Sequence, residues 1–371
     1  MEGASVTYDL IVVGGGPAGT SAAITCARTG ARVLLLERGR FPRHKVCGEF
    51  VSAESLDLLS DILVPQHARL FSEAIRIPRA RVFLDGRTLQ APVDPPAASI
   101  SRLELDAALW DSAEQRGVDS RQQIAVQSIS GIGPFLVKTS GGDFESRALI
   151  NASGRWSNLN PASPDAQNSG MKWIGLKGHF AESFAPASVD LYFFDGGYCG
   201  VQPVDIADGV ARSGRVNACA MVRADVASTL LEVFLCHPAL EERSRQWEPL
   251  SDPVSTSPLV FREPRPERDG VLMAGDAAAF VDPFVGDGIS LALRSGRLAG
   301  ECLIPFFARR ISLAEAARDY RLTYERRLTP VFRTSSKIRW MLSLPRALRT
   351  PILRLLEATP AIARYLVSRT R

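Results

Sequence analysis

The stretch VTYDLIVVGGGPAGTSAAITCARTGARVLLLE, residues 6–37, decides the fold. It reads as an apolar β-strand, a glycine-rich turn, a helix of small residues and a second apolar strand that ends at Glu37. A strand, turn, helix and strand within about 30 residues form a βαβ unit. We therefore predict an α/β protein with an amino-terminal Rossmann-type domain.

The glycine turn predicts a dinucleotide site. Its phosphate-binding residues are Gly14, Gly16, Pro17, Ala18 and Gly19. The first glycine permits the tight turn, the second lets a pyrophosphate approach the backbone, and the third lets the helix pack against the strand. The helix amino terminus offers N–H groups to the phosphates. Glu37, followed by Arg38, is placed to accept hydrogen bonds from an adenosine ribose. This unit alone fits FAD and NAD equally well.

A downstream segment separates the two cofactors. MAGDAAAFVDPFVGDGISLALRSG, residues 273–296, resembles the flavoprotein superfamily of the geranylgeranyl reductases and the aromatic-ring monooxygenases related to p-hydroxybenzoate hydroxylase. The resemblance implies that FAD is bound by Gly275, Asp276, Gly286, Gly288 and Ile289. The aspartate would hold the ribityl or pyrophosphate part. The glycine turn would open a helix whose N–H groups face the flavin ring, where they stabilise negative charge on the reduced ring.

The segment RHKVCGE, residues 43–49, is similar to the Lys-x-Cys-Gly signature of the geranylgeranyl-reductase-like branch, in which this loop passes close to the flavin. The resemblance implies further contacts with FAD from Lys45, Cys47, Gly48, Arg102 and Val126. Cys47 lies near Arg43 and Lys45, an electropositive setting that lowers the pKa of a thiol. A redox or acid–base role for Cys47 is therefore one hypothesis, and an inert buried cysteine is the other.

The motifs that would identify the reaction are incomplete. YCGVQP, residues 198–203, keeps the tyrosine and proline of the Tyr-x-Trp-x-Phe-Pro signature of geranylgeranyl reductases, but not its tryptophan and phenylalanine. Residues 151–155 lack the Asp-Gly motif of aromatic hydroxylases. The five tryptophans are never two positions apart, so the Trp-x-Trp-x-Ile-Pro signature of flavin halogenases is missing.

We predict an FAD-dependent oxidoreductase, geranylgeranyl-reductase-like, that acts on a hydrophobic or aromatic small molecule. One alternative is an FAD-dependent monooxygenase that hydroxylates a polyketide or aromatic metabolite. An alternative of another class is a flavin electron-transfer protein at a membrane surface. No second glycine fingerprint marks an NAD(P)H domain, so NAD(P)H would act as a transient reductant, or a partner protein would supply electrons.

The substrate pocket is expected between the flavin and a second sheet. Candidate aromatic side chains for it are Trp173, Phe180, Tyr192, Phe193, Phe194 and Tyr198. They either line the pocket or form the core of that sheet. Lys177 and His179 alternate onto one face of a predicted strand, which either shares the pocket or faces solvent. The catalytic residue stays unknown, with Cys47, Tyr198 and Lys177 as candidates.

The predicted domains alternate along the chain. The FAD-binding domain takes residues 1–75, 98–165 and 265–305, the β-sheet substrate domain takes 76–97 and 166–264, and C-terminal helices take 306–371. A stretch rich in Pro, Ser and Asn at 158–169 predicts a junction. We also expect a helix from Glu49 to Leu63 and a loop or crossover at Pro92–Pro96.

Residues 331–371 carry nine basic residues and one acid, although the net charge of the chain is only +4. Such a basic amphipathic tail can lie on an anionic membrane surface or pack its apolar side on the protein. The six cysteines are scattered, which argues against a metal site and fits a cytoplasmic protein. We expect no signal peptide, no membrane span and no nucleic-acid partner.

Overall fold

The computed structural model describes residues 7–155, 159, 172–205, 214–342 and 344–351. Within them the chain forms two β-sheets and the helices that cover them. The predicted junction at 158–169 lies outside the described residues apart from Leu159, and so does the tail beyond residue 351.

The first sheet is built on the predicted βαβ unit. β1 (Thr7–Val13) and β2 (Val33–Leu36) are parallel neighbours that α1 (Pro17–Ala27) connects. The other strands of this sheet are β6 (Asp119–Arg121), β7 (Val126–Ser130), β8 (Phe135–Thr139), β9 (Gly142–Asn151), β16 (Glu267–Arg268) and β17 (Val271–Met273). The parallel strands have the order β6–β2–β1–β9–β17. Sheets of this kind bind ligands at the carboxyl ends of the strands, where the strand order reverses.

The second sheet, within the described residues, is mainly antiparallel. Its strands are β3 (Phe50–Val51), β4 (Ile75–Leu84), β5 (Arg87–Ser99), β10 (Trp173–Ala181), β11 (Val189–Phe194), β12 (Gly197–Pro203), β13 (Arg215–Arg223), β14 (Glu248–Pro249) and β15 (Val254–Thr256). β10, β13 and β12 are consecutive neighbours, and only β11 and β4 pair in parallel here. The predicted α/β architecture, with a Rossmann-type unit and a second mixed sheet, is confirmed.

Helices pack against both sheets. Those beyond α1 are α2 (Ala53–Ile62), α3 (Arg69–Ser72), α4 (Arg102–Gln115), α5 (Leu230–Leu235), α6 (Pro238–Ser244), α7 (Gly288–Phe307), α8 (Leu313–Arg327) and α9 (Thr329–Leu342). Ser101 caps α4 by accepting a hydrogen bond from the Leu103 N–H at 3.1 Å. The basic helix α9 buries Val331 and Phe332 in the core that also packs β1 and α1, where Phe332 stacks on Tyr324.

The helix predicted from Glu49 to Leu63 starts later than expected. Residues 50–51 instead form β3, which pairs with the end of β5. Glu49 itself has φ +61°, a left-handed conformation that no helix accommodates. The prediction was wrong at this end because the pairing partner of β3 is distant in sequence.

The loop predicted at Pro92–Pro96 is also wrong, because these residues belong to β5. β3 pairs only with Ala98 and Ser99, so the preceding part of β5 is an edge. A proline is tolerated on an edge strand because its missing N–H has no neighbouring strand to serve. A register shift between Ile77 and Arg79 of β4 accommodates the proline segment.

The helices α1 and α7 pack closely because their contact residues are small. A Cβ on Gly296 would lie 2.8 Å from the carbonyl carbon of Ala18. The Ser21 hydroxyl donates to the Leu293 carbonyl oxygen at 2.9 Å, which joins the two helices further. This contact holds α7 against the glycine turn of the first sheet.

We expect Gly296→Ala to lower the free energy of unfolding by about 1–3 kcal/mol, because rigid backbone leaves no room for the methyl group. Chemical denaturation followed by circular dichroism measures the change. Glu301→Ala on the exposed side of the same helix is the control and should change stability by less than about 0.5 kcal/mol. Equal effects of the two substitutions would contradict the close packing.

Candidate functional site

A cleft of about 380 Å³ opens at the carboxyl ends of β1, β2 and β9. The predicted cofactor contacts that line it are Gly14, Gly16, Glu37, Arg38, Lys45 and Val126. These residues come from separate stretches of the chain, which the first sheet brings together at one edge. The cleft therefore lies where a doubly wound sheet binds its ligand.

The glycine turn leaves space for a pyrophosphate. Gly14 has φ +107°, and a Cβ there would lie 2.6 Å from the carbonyl carbon of Ala152. A Cβ on Gly16 would meet no atom within 4 Å, so this residue faces open space. Pro17 occupies the first turn of α1, where no hydrogen bond from its nitrogen is needed. The turn thus fits a phosphate group at the helix amino terminus.

Glu37 presents its carboxylate in the same cleft. Oε2 accepts a hydrogen bond from the Gly15 N–H at 2.9 Å, and Oε1 accepts from the Gly39 N–H at 2.8 Å. Arg43 Nη2 is 2.9 Å from Oε1. Burial alone would raise the pKa of Glu37, but these partners lower it, so the group is an anion. A fixed carboxylate is suited to accept hydrogen bonds from ribose hydroxyls.

The second predicted motif follows β17. The Gly275 N–H donates to Ser295 Oγ of α7 at 2.9 Å. Asp276 Oδ2 is 3.5 Å from Arg155 Nε, and the Arg155 guanidinium lies 4.1 Å from the centre of the Phe280 ring. Asp276 therefore lies at the sheet edge as a paired anion rather than an isolated one.

The predicted glycine turn opens α7. Gly286 has φ +77°, Gly288 is the first residue of the helix, and Ile289 is buried. Asp287, between the glycines, is buried with Oδ1 3.1 Å from Ser52 Oγ. Burial raises the pKa of Asp287 to about 6.

The loop 43–49 runs between the cleft and the second sheet. Lys45 lines the cleft, and burial together with the charge of Arg102 lowers the pKa of Lys45. Cys47 Sγ accepts a hydrogen bond from the Glu49 N–H at 3.4 Å. Gly48 is exposed, and a Cβ there would meet no atom within 4 Å. Arg102 points inward and pairs with Asp106 through two hydrogen bonds of 2.7 and 2.6 Å.

Comparison with known proteins identifies the cofactor class. The family model described as FAD dependent oxidoreductase matches residues 9–42. Digeranylgeranylglycerophospholipid reductase 2 of Methanopyrus kandleri is 28% identical over 319 residues, which are 79% of this chain and 76% of that protein. Menaquinone reductase of Mycobacterium tuberculosis is 27% identical over 324 residues, 80% of this chain and 76% of the relative.

This chain is an FAD-dependent oxidoreductase. The predicted resemblance to the superfamily of geranylgeranyl reductases and aromatic-ring monooxygenases is confirmed, and so is FAD as its cofactor. The solved structure of the flavin-dependent brominase Bmp2 superposes with a TM-score of 0.77 at 19% identity, covering 98% of this chain and 93% of that one. That likeness confirms the predicted p-hydroxybenzoate hydroxylase-like fold.

A buried ion cluster joins the two halves of the oxidoreductase. Glu49 pairs directly with Lys177, and its Oε2 is 2.8 Å from His179 Nε2. The three side chains are exposed by 0%, 1% and 1%. The Arg102 N–H also donates to Glu49 Oε1 at 2.8 Å. The solvent-facing alternative for Lys177 and His179 was therefore wrong, because the loop 43–49 covers this face of β10.

The side chains around Glu49 keep its carboxyl group ionised. Burial alone would raise the pKa of Glu49, but Lys177 and His179 outweigh it and hold this pKa at about 2. His44 lines the cleft, and its ring lies against that of His179 with the centroids 5.4 Å apart. The cluster thus reaches the cleft through His44.

The predicted aromatic pocket divides between the two faces of the second sheet. Trp173, Phe193 and Tyr198 share one cluster with Phe284, which precedes the glycine turn of α7. Phe180, Tyr192 and Phe194 lie in a separate core on the other face. Side chains alternate along a strand, so neighbouring aromatics must point to opposite faces. Burial raises the pKa of Tyr198 well above its usual value.

The sequence did not predict the buried ion pair between Asp282 and Arg339. Asp282 lies two residues before Phe284 and is buried, with Arg339 Nη1 of α9 3.0 Å from its Oδ2. Burial raises the pKa of Asp282 to about 7. The Arg339 guanidinium also lies 4.0 Å from the centre of the Phe261 ring. For Asp282, the one available signal was an acidic residue beside Pro283 within residues 273–296. Nothing in the sequence suggested Arg339.

Across the described residues, the helices are too short or too polar to span a lipid bilayer.

We expect Gly16→Val to weaken FAD binding by about a hundredfold or more, because the side chain fills the space that faces the helix amino terminus. Fluorescence titration of the FAD-free protein measures the dissociation constant. The thermal unfolding midpoint of that protein should stay within a few degrees of the wild type. Unchanged FAD affinity would show that the pyrophosphate does not lie at this turn.

We expect Glu49→Gln to lower the free energy of unfolding near pH 7 by about 3–5 kcal/mol, because it leaves the buried ammonium group of Lys177 unpaired. The folded pKa of about 2 lies below the usual 4.5, so the carboxylate stabilises the fold above pH 4.5 and loses this effect as the pH falls towards 2. Denaturant titrations between pH 7 and 3 should show a smaller acid loss in the variant. The exposed Glu301→Gln should keep the wild-type slope.

Proposed function

We propose that the oxidoreductase reduces an unsaturated hydrophobic small molecule. The observation that carries this proposal is a contact between two groups of residues. One is the segment before α7, which we propose binds the flavin, and the other is the aromatic cluster of Trp173, Phe193 and Tyr198. Phe284 packs edge-on against Tyr198 and Phe193, with both pairs of ring centroids 6.0 Å apart. A substrate held by this cluster would lie beside the start of α7, where we place the flavin ring.

The residues present can hold FAD. The cleft side of the first sheet would bind the pyrophosphate at Gly14 and Gly16 and the ribose at Glu37. Arg155 holds the Asp276 carboxylate at the edge of the sheet, where it would meet the ribityl chain. Bound FAD, once reduced, would supply the hydride for the reduction. The N–H groups at the start of α7 would stabilise the negative charge of the reduced ring.

The lining of the second sheet supports an apolar substrate. Besides the aromatic rings, Met221, Leu191 and Leu259 belong to the same cluster. Apolar walls with few polar groups bind apolar ligands by removing their surface from water. The two relatives above are named as reductases, of digeranylgeranylglycerophospholipid and of menaquinone, and this supports a prenyl-bearing substrate here. We infer that NAD(P)H reduces the flavin transiently.

Anaerobic single turnover tests the proposal. The purified protein with bound FAD is reduced by NADPH or dithionite and mixed with geranylgeranyl diphosphate or a short-chain menaquinone. We expect reoxidation of the flavin and a product that has gained two hydrogens, detected by mass spectrometry. A product that gains an oxygen atom, and forms only when air is admitted, would replace the reductase with the monooxygenase alternative.

A matched pair of variants locates the substrate. Tyr198→Leu should lower kcat/KM about tenfold because the aromatic cluster loses a ring, while FAD content stays unchanged. Tyr192→Leu alters a buried tyrosine on the neighbouring strand but on the opposite face. It should lower stability and leave kcat/KM within a factor of about two. The reverse pattern would place the substrate elsewhere.

A further inference from the structure

The strand pairing of the second sheet shows where the ion cluster of Glu49, Lys177 and His179 lies relative to the aromatic cluster. On the face of this sheet that carries the aromatic cluster, one cross-strand row contains Gly175, Met221 and Tyr198, the last two of which belong to that cluster. Two residues further along β10, Lys177 is opposite Cys219. The next row holds His179. Because side chains two residues apart share a face, Lys177 lies between the aromatic cluster and His179.

Lys177 is also fixed in place. Its ammonium pairs with the Glu49 carboxylate, whose second oxygen is 2.8 Å from His179 Nε2. Gly200, on the other side of Cys219, has no side chain, and a Cβ there would lie 3.3 Å from a methyl group of Leu191. Glu49 is itself held by the Arg102 N–H at 2.8 Å. A buried lysine with one fixed partner keeps a single position and a definite direction for its N–H bonds.

The other end of the cluster reaches the cleft. His44 contacts His179 ring against ring at 5.4 Å, and it lines the cleft of the first sheet. Burial lowers the pKa of His44, and the positive charges of Lys177 and His179 act in the same direction. The chain of contacts from His44 through His179 and Glu49 to Lys177 therefore connects an accessible imidazole with a buried ammonium.

We propose that Lys177 donates the proton of the reduction, and that Glu49 and His179 are positioning residues that hold its ammonium beside the substrate. This inference rests on the proposed function. One carbon of the substrate double bond accepts the hydride from the reduced cofactor as the π bond breaks. The neighbouring carbon takes a proton from Lys177 Nζ, which leaves a neutral amine. The substrate gains two electrons and the cofactor loses two.

The neutral amine then regains its proton along the same contacts. Glu49 bridges Lys177 and His179, and His44 gives the cluster access to the cleft. No oxidant or reductant is needed for this return, since only a proton moves. The cluster thus combines a proton donor with a route for its recovery, on the face of the second sheet that the aromatic cluster shares.

The test uses Lys177→Arg, because arginine keeps the charge beside Glu49 but does not give up its proton. In anaerobic single turnover with geranylgeranyl diphosphate, we expect the variant to reduce the substrate about a hundredfold to a thousandfold more slowly than the wild type. FAD content and reduction by dithionite should stay unchanged. In the wild type, substrate reduction should also show a solvent deuterium isotope effect, because a proton is transferred in this step.

The matched control is Asp190→Asn. Asp190 is a buried carboxylate of β11 that pairs with Arg81 and Arg243 on the opposite face of the same sheet. Its substitution should lower stability while leaving the rate and the isotope effect of substrate reduction unchanged. A Lys177→Arg protein with the wild-type rate would overturn the role of Lys177 and leave the reductase function intact. A wild type that leaves the probe unreduced would overturn both.

A second readout does not depend on turnover. The chain has four histidines, so their imidazole signals can be resolved by NMR in the full-length protein. Lys177→Met should raise the pKa of His44 by about half a unit or more, because it removes a positive charge from the connected cluster. Asp190→Asn should leave the His44 titration unchanged. An unchanged His44 pKa in Lys177→Met would disconnect the cluster from the cleft and contradict the proposed route.

Discussion

The pairing of Glu49 with Lys177 and His179 is the constraint on which the site depends. Three buried ionisable groups lose their hydration, and only close mutual contacts offset that cost. The contacts therefore fix where the loop 43–49 lies on the second sheet. The same carboxylate accepts a hydrogen bond from the start of α4. One interaction thus sets the relative position of the loop 43–49, α4 and the second sheet.

Two further contacts complete the same interface. Phe284 carries the segment before α7 onto the aromatic cluster, and Asp282 binds that segment to Arg339 of α9. Helix α9 therefore helps to position the segment before α7. A hydride acceptor between these surfaces would have apolar walls on one side and a charged cluster one strand row away. Apolar binding and proton supply then come from one face of one sheet.

The sequence predicted the glycine turn of the first sheet better than the arrangement of the aromatic residues in the second sheet. The motif around Gly14 and Gly16 is local, because a strand, turn and helix consecutive in the chain build it. Glu37 follows from a regular spacing, and the structure places it in the same cleft. The aromatic residues could not be sorted by sequence alone. Tyr192 and Tyr198 are both tyrosines in apolar strand sequences, so the sequence does not distinguish them. Strand alternation and pairing nevertheless place them on opposite faces of the sheet.

The sequence by itself determined the Rossmann-type unit, since a strand, turn and helix consecutive in the chain form it, and the resemblance of residues 273–296 to known flavoproteins implied FAD. The tertiary structure alone decided what Glu49 does. In sequence it reads as the first residue of a helix, but pairing of β3 with β5 gives it φ +61° and turns it towards β10. Its partners lie more than a hundred residues away, and their burial depends on the loop that covers them. Long-range contacts of this kind leave no periodic trace in a sequence.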